Sequence, residues 1–282
     1  MPARSWFITG TSRGFGREWA KAALERGDNV AATARDASTL EDLVAAHPDS
    51  ALALALDVTD RGSAFETVAR AHERFSRLDI VVNNAGYGQF GMVEELSEQE
   101  ARDQLETNLF GALWVTQAAL PFMREQRGGH LIQVSSLGGI SAFPNIGIYH
   151  ASKWALEGLS QALAQEVRDF GIHVTLIEPG GFATDWGGSS ARRAMPNDAY
   201  REVREARERE RAGAFRGDPA ATAEALMKVV DADPPPLRVF FGSSPLAIAE
   251  RDYAGRLATW REWQPVAELA QGSGNRPRVS PG

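Results

Sequence analysis

The stretch Trp6-Phe7-Ile8-Thr9-Gly10-Thr11-Ser12-Arg13-Gly14-Phe15-Gly16 decides how the rest of the chain is read. Four residues with strand character run into a loop holding three glycines, and a helical pattern from Gly16 to Arg26 follows, stopped by Gly27. Glycines at such a turn let the backbone fold tightly and approach a pyrophosphate, whose charge suits the helix N-terminus. An ordinary glycine-rich turn is the plainer alternative, and the spacing departs from the G-x-G-x-x-G fingerprint. The strand–turn–helix context favours dinucleotide binding, with Gly10, Ser12, Arg13, Gly14, Phe15 and Gly16 at the phosphates.

Outward from this loop the pattern repeats. Strand-like runs recur at Asn29–Thr33, Ala51–Leu56, Ile80–Asn83, Leu131–Val134 and Val174–Ile177. Most are continuously apolar, as strands buried on both faces of a parallel sheet are. Helical segments lie between them. One, from Asp60 to Phe75, carries Phe65, Val68, Ala69 and His72 on one stripe; another opens on a capping box of Ser97 and Glu100. Regular alternation implies an α/β fold, a Rossmann-type doubly wound parallel sheet of about seven strands with helices on both faces. Asp218-Pro219 marks a later helix start, and Arg238–Phe241 reads as the seventh strand. No repeat or linker marks a second domain, so residues 1–282 are expected to form a single domain. It would carry a C-terminal extension over about 243–282, whose end from Gly272 is rich in Gly, Ser and Pro and expected to fray.

Composition narrows the function classes. The net charge of -7 argues against nucleic acid or an anionic membrane as the main partner. The chain has no cysteine, which excludes disulfides and thiolate metal sites, and its five histidines show no metal-ligand spacing. No apolar run is long enough to span a bilayer and the N-terminus lacks a signal-peptide pattern, so a cytoplasmic protein is expected. The segment Asn197 to Arg211 mixes five acids with five arginines at helical spacing, as a solvated surface helix does.

At the end of the second strand stands Ala34-Arg35-Asp36. An acid there would bind the ribose hydroxyls of NAD, whereas an arginine accommodates the 2′-phosphate of NADP. Arg35, with Arg13 as a second candidate, favours NADP(H); Asp36 facing the ribose would favour NAD. Further on, Tyr149-His150-Ala151-Ser152-Lys153 opens a helical pattern continued by Leu156, Leu159, Leu163 and Val167. Four residues apart, Tyr149 and Lys153 project from one face. An ammonium near a phenol favours the phenolate, and each unit by which the ordinary pKa near ~10 falls needs about 1.4 kcal/mol. By itself the pair is also what an ordinary solvated helix contains.

Taken in order, the glycine loop, Asn83-Asn84-Ala85-Gly86, Ser136, Tyr149-x-x-x-Lys153 and Pro179-Gly180 resemble the short-chain dehydrogenase/reductase family, in its single-domain branch. The resemblance covers about residues 5–185 and implies Tyr149 as general acid and base, and Lys153 as the group that lowers its pKa and bonds the nicotinamide ribose. It further implies Ser136 as the hydroxyl that holds the substrate oxygen and Asn108 as part of a proton relay. Asp57 and Val58 would meet the adenine, Asn84, Ala85 and Gly86 would line the cofactor, and Pro179, Gly180 and Thr184 would lie near the nicotinamide. Residues of about 181–216 would form the substrate lid, with Phe143, Trp186 and Gln89 as substrate contacts; Tyr87 and Phe90 also follow cofactor-facing motifs, with core packing the alternative for the aromatics. The activity implied is NADPH-dependent reduction of a small-molecule ketone or aldehyde, reversible and permitting a bulky apolar substrate, in a homodimer or homotetramer. A related epimerase or dehydratase and a non-catalytic NADP-sensing protein are the rival readings.

Overall fold

The computed structural model describes residues 3–213 and 215–272. Its elements in chain order are β1 (Ser5–Ile8), α1 (Gly14–Glu25), β2 (Asn29–Ala34), α2 (Glu41–Ala46), β3 (Ala51–Ala55), α3 (Arg61–Phe75), β4 (Ile80–Asn83), β5 (Gln89–Phe90), α4 (Glu98–Leu105), α5 (Gly111–Glu125), β6 (Gly129–Val134), α6 (Gly147–Glu166), β7 (Ile172–Pro179), β8 (Arg192–Arg193), α7 (Arg201–Ala212), α8 (Thr222–Val230), β9 (Arg238–Phe241), α9 (Pro245–Glu262) and α10 (Gln264–Gln271).

Seven strands make one parallel sheet in the order β3-β2-β1-β4-β6-β7-β9. The chain runs outward one way from β1 to β3, then returns to place β4 on the other side of β1, pairing Phe7 with both Ala31 and Val81. That reversal opens a crevice beyond the carboxyl ends of β1 and β4, where ligands of doubly wound sheets bind. Successive β1 residues serve opposite faces. Trp6 and Ile8 pack with Trp19 of α1, Leu43 of α2 and Leu226 of α8, while Phe7 packs with Val68 of α3 and Val115 and Met123 of α5. Two covered faces leave no room for polar alternation, which is why the strands read as apolar runs.

Two local expectations need correction. The buried stripe of α3 is Ala64, Thr67, Val68 and Ala71, with Ala69 exposed, because the small residues face the sheet and let the helix lie close. Asp218 caps a turn through Ala220 N–H (2.9 Å), and the α-helix itself begins at Thr222, held to α1 by Trp19 Nε1 donating to Thr222 Oγ1 (2.9 Å). The capping box of Ser97 and Glu100 opens α4 as expected. A short parallel ladder of β5 with β8 was not legible in the sequence. The chain falls into two compact units, the first ending at Pro245 and the second beginning at Leu246. Within the second unit, Trp260, Trp263 and Leu269 are exposed. The expected fraying beyond Gly272 lies outside the described residues.

Candidate active site

The loop after β1 and the turn after β4 are stitched into one surface. Thr9 Oγ1 accepts from the backbone N–H groups of Asn84 and Ala85 (both 2.9 Å), and Asn84 Nδ2 donates to the carbonyls of Thr9 (2.9 Å) and Gly10 (3.0 Å). Gly10 holds φ +70°, the left-handed region, and a Cβ on Gly16 would stand 2.5 Å from both Asn84 Nδ2 and the Gly10 carbonyl. The start of α1 has no side-chain cap and no acid in its first turn, so no side chain of its own competes for the first N–H groups of the helix. A backbone cradle that no Cβ could share, at the positive end of a helix, fits a pyrophosphate.

The other expected cofactor residues divide by what their side chains already hold. Arg35 is exposed with no carboxylate partner among the described residues, whereas the Asp36 carboxylate accepts from Ser38 N–H (3.0 Å) and Ser38 Oγ (2.7 Å), bonds that hold its pKa below the ordinary value. Asp57 is occupied by Thr59 (3.0 and 2.7 Å), and Val58 is buried where Gly111 leaves room for it. Ser12 is exposed. Phe15 stacks on Trp19 and meets Phe182 edge-on, so its ring belongs to the apolar cluster and only its backbone faces the cradle. Arg13 reaches across to Asp185 (2.8 Å) in the segment after β7. Pro179 ends β7, Gly180 N–H donates to Phe241 (2.9 Å), and Thr184 Oγ1 accepts from Trp186 N–H (3.4 Å).

The four expected catalytic residues converge beyond β4 and β6. Tyr149 and Lys153 are both buried in the first turns of α6, with the ammonium 5.9 Å from the phenol ring centroid. Lys153 Nζ donates to the Val134 carbonyl at the end of β6 (2.7 Å). Burial pushes the Tyr149 phenol up to about 12, against the pull of the Ser136 hydroxyl, and pushes Lys153 down to about 8, against the charge of Glu157. Desolvation therefore outweighs any lowering of the phenol by Lys153. Ser136 is half-buried and accepts from Gly138 N–H (2.9 Å), while its neighbour Ser135 is buried beside Glu157 and Gly139. Asn108 sits in a single π-turn, Glu106–Phe110, between α4 and α5. Its amide donates to Tyr87 O (3.0 Å) and Ser152 Oγ (3.2 Å) and accepts from Tyr87 N–H (3.1 Å). Gly86 is the common neighbour, where an added Cβ would lie 3.1 Å from Asn108 Oδ1 and 3.8 Å from Lys153 Nζ.

Around this group stand the expected substrate contacts. Trp186 meets Tyr149 edge-on with centroids 4.9 Å apart and lies 5.5 Å from Phe90. Phe143 is half-buried, its N–H donating to His150 Nε2 (3.0 Å), while His150 Nδ1 bonds the Gly138 carbonyl (2.8 Å). Those partners require Nδ1 to carry the proton, and burial keeps the imidazole neutral by lowering its pKa. His150 thus pins the loop that carries Ser136 and Phe143, a part that the sequence left among bland histidines. Gln89 is a correction. Its side chain is fully buried and Nε2 donates to Glu100 (3.1 Å), so it faces α4 instead of a substrate.

An α/β sheet with a phosphate cradle at its switch point and a buried Tyr–Lys pair at its carboxyl edge defines a dinucleotide-binding protein of oxidoreductase type. Comparison with known proteins gives the family. The family model "short chain dehydrogenase" matches residues 5–194, and the chain belongs to that family. It is 41% identical over 269 residues to Oxidoreductase BOA17 of Botryotinia fuckeliana, covering 91% of this chain and 96% of that one. Among solved structures, a short-chain dehydrogenase from Streptomyces avermitilis superposes with TM-score 0.90 at 40% identity, covering 95% of this chain and 98% of its own. An alcohol dehydrogenase from Thermococcus sibiricus, complexed with 5-hydroxy-NADP, gives TM-score 0.71 at 28% identity over 86% and 97%.

Proposed function

We propose that this oxidoreductase uses NADPH to reduce a ketone or aldehyde to an alcohol, and runs in reverse as an alcohol dehydrogenase. The observation that carries the reading is the convergence of Tyr149, Ser136, Lys153 and Asn108 beside the cradle made by Gly10, Gly16 and Asn84. A phenol whose pKa stands near 12 keeps its proton at neutral pH, and carbonyl reduction needs a proton donor at the substrate oxygen. Ser136 supplies a hydroxyl for the charge that develops on that oxygen. Lys153 is held at Val134 O, leaving its remaining protons to bond a ribose and to steady the phenolate after transfer. Asn108 fixes the Tyr87 backbone and, through Ser152, the first turns of α6, so the donor stays aligned. The bound nicotinamide supplies or accepts the hydride. NADP is favoured over NAD because Arg35 is unengaged while Asp36 is tied to Ser38, and the Thermococcus neighbour's ligand is of the same kind. No described helix is long and apolar enough to cross a membrane.

The test is NADPH consumption with a panel of carbonyl compounds, repeated with Tyr149→Phe. The variant should bind NADPH as the wild type does and lose at least about 100-fold in turnover. Near-normal turnover by the variant, or no consumption with any carbonyl, would overturn the assignment.

A further inference from the structure

The segment over 181–216 holds eight arginines, no lysine and six acids, a local excess of positive charge in a chain whose net charge is -7. Some of these arginines are neutralised where they stand. Arg192 pairs with Asp103 (2.8 Å), Arg204 with Glu95, Arg207 with Glu210 (2.9 Å) and Arg209 with Glu205 (3.7 Å). Arg193, Arg211 and Arg216 have no carboxylate within ion-pair distance among the described residues, and Arg193 donates only to the Gly187 carbonyl (2.9 Å). Two of the three stand on the aromatic wall. The Arg211 and Arg193 guanidiniums lie 4.9 and 5.2 Å from the Phe90 ring centroid, and Phe90 is one ring from Trp186, which meets Tyr149. Arg207 covers Phe143 at 4.4 Å.

Arg211 is half-buried, and burial first, then the charges of Arg207, Arg216 and Arg193, lower its pKa, with the Glu208 carboxylate opposing them more weakly. Gathering like charges around a partly desolvated guanidinium is unfavourable unless an anion joins them. Guanidinium–ring contacts offset part of that repulsion but neutralise none of the charge. Tyr149, Trp186, Phe90 and the two guanidiniums thus form one continuous set of contacts leading away from the phenol.

Resting on the carbonyl-reductase reading above, we propose that the substrate has an apolar body and an oxyanion head, a carboxylate or a phosphate, held by Arg211 and Arg193. The body packs on the partly exposed rings of Trp186 and Phe143, and the carbonyl lies at Tyr149. A bidentate guanidinium is suited to such a head group. This sharpens the apolar substrate expected from the sequence, since the wall is apolar and its far end is cationic.

The test compares a medium-chain oxo-carboxylate, its methyl ester and the matching oxoalkyl phosphate as substrates. It also measures, by calorimetry on the NADP-loaded protein, binding of the corresponding saturated acid, alkyl phosphate and ester. The proposal expects one of the anions to exceed the ester in kcat/KM and in affinity by at least about tenfold, and the preferred anion identifies the head group. That preference should collapse in Arg211→Gln and weaken in Arg193→Gln, and Arg211→Lys should restore part of it. Arg193 is exposed, so a loss shared by its variant is not misfolding, and melting temperatures check the Arg211 variants. An ester used as well as the anions, or a preference that survives both substitutions together, overturns the proposal and leaves the reductase reading standing. Anion binding that is lost in Arg211→Gln, with no turnover of any of the three, supports the cationic site and counts against the reductase reading. Neither turnover nor anion binding overturns the proposal.

Discussion

The floor of the proposed site and the segment over 181–216 handle polar side chains in opposite ways. On the floor, Thr9, Asn84 and Asn108 direct their hydrogen bonds into the backbone of neighbouring loops, and His150 bridges two more loop groups with both ring nitrogens. Over 181–216 the arginines divide instead: Arg192, Arg204, Arg207 and Arg209 meet carboxylates, while Arg193 and Arg211 rest on Phe90 and Arg207 also covers Phe143. A floor of satisfied short bonds has one geometry, and under the proposed function it carries the proton transfer. A surface of long cationic side chains can change what it recognises without moving the phenol.

The largest effect that would break this contrast lies in the floor. Gly16→Val puts atoms where Asn84 Nδ2 and the Gly10 carbonyl already stand within 2.5 Å of a Cβ. The cradle must shift, and displacement of a positioned ligand by about an ångström is enough to lose on the order of 100-fold in kcat/KM. Fluorescence titration with NADPH and steady-state kinetics check it. A variant with wild-type affinity would mean that the cradle is looser than its contacts.

A tenfold effect comes from a floor residue that behaves like that cationic surface. Arg35 is exposed and unpaired, so Arg35→Glu should leave the melting temperature unchanged while moving cofactor preference from NADPH toward NADH by about tenfold or more. The ratio of kcat/KM for the two cofactors measures it. An unmoved ratio would leave Arg13 as the discriminating residue, despite its engagement with Asp185.

How much of this was legible in the sequence follows the same division. Runs such as Ile80–Asn83 announced the sheet because burial on both faces removes alternation, whereas Tyr149, Lys153 and Ser136 were singled out by the family resemblance, the Tyr–Lys spacing alone being that of many ordinary helices. What the sequence hid depends on tertiary partners. Nothing in the letter code says that Asn108 would sit in a π-turn, that His150 would hold Gly138 and Phe143, or that Gln89 would turn inward to Glu100. The arginines of α7 looked like one solvated helix face, and only the fold shows which of them meet carboxylates and which meet rings.

The smallest effect concerns a buried charge that belongs to the floor yet lies outside its chemistry. Glu157 of α6 and Glu178 of β7 are both buried and share one cation, Arg238 of β9, at 3.0 and 3.4 Å. Burial first, and then the Glu157 charge, push Glu178 well above its ordinary 4.5, while Arg238 pulls the other way. The folded protein therefore keeps a proton that the unfolded chain releases near 4.5, so the folded state binds more protons above that pH and stability falls as pH rises, by at most about 1.4 kcal/mol per unit for one proton. His130, lowered to about 3 by burial, has the opposite sign, adding stability as pH rises from 3 toward 6.5, and Lys153 does the same only above about 8. Glu178→Gln keeps the shape and the neutral form but cannot release a proton, so the difference in unfolding free energy between variant and wild type isolates the carboxyl. Denaturant titrations from pH 5 to 7.5 should show the variant gaining on the wild type as pH rises. A constant difference across that range would mean that Arg238 holds Glu178 ionised, and that the floor tolerates two buried carboxylates on one guanidinium.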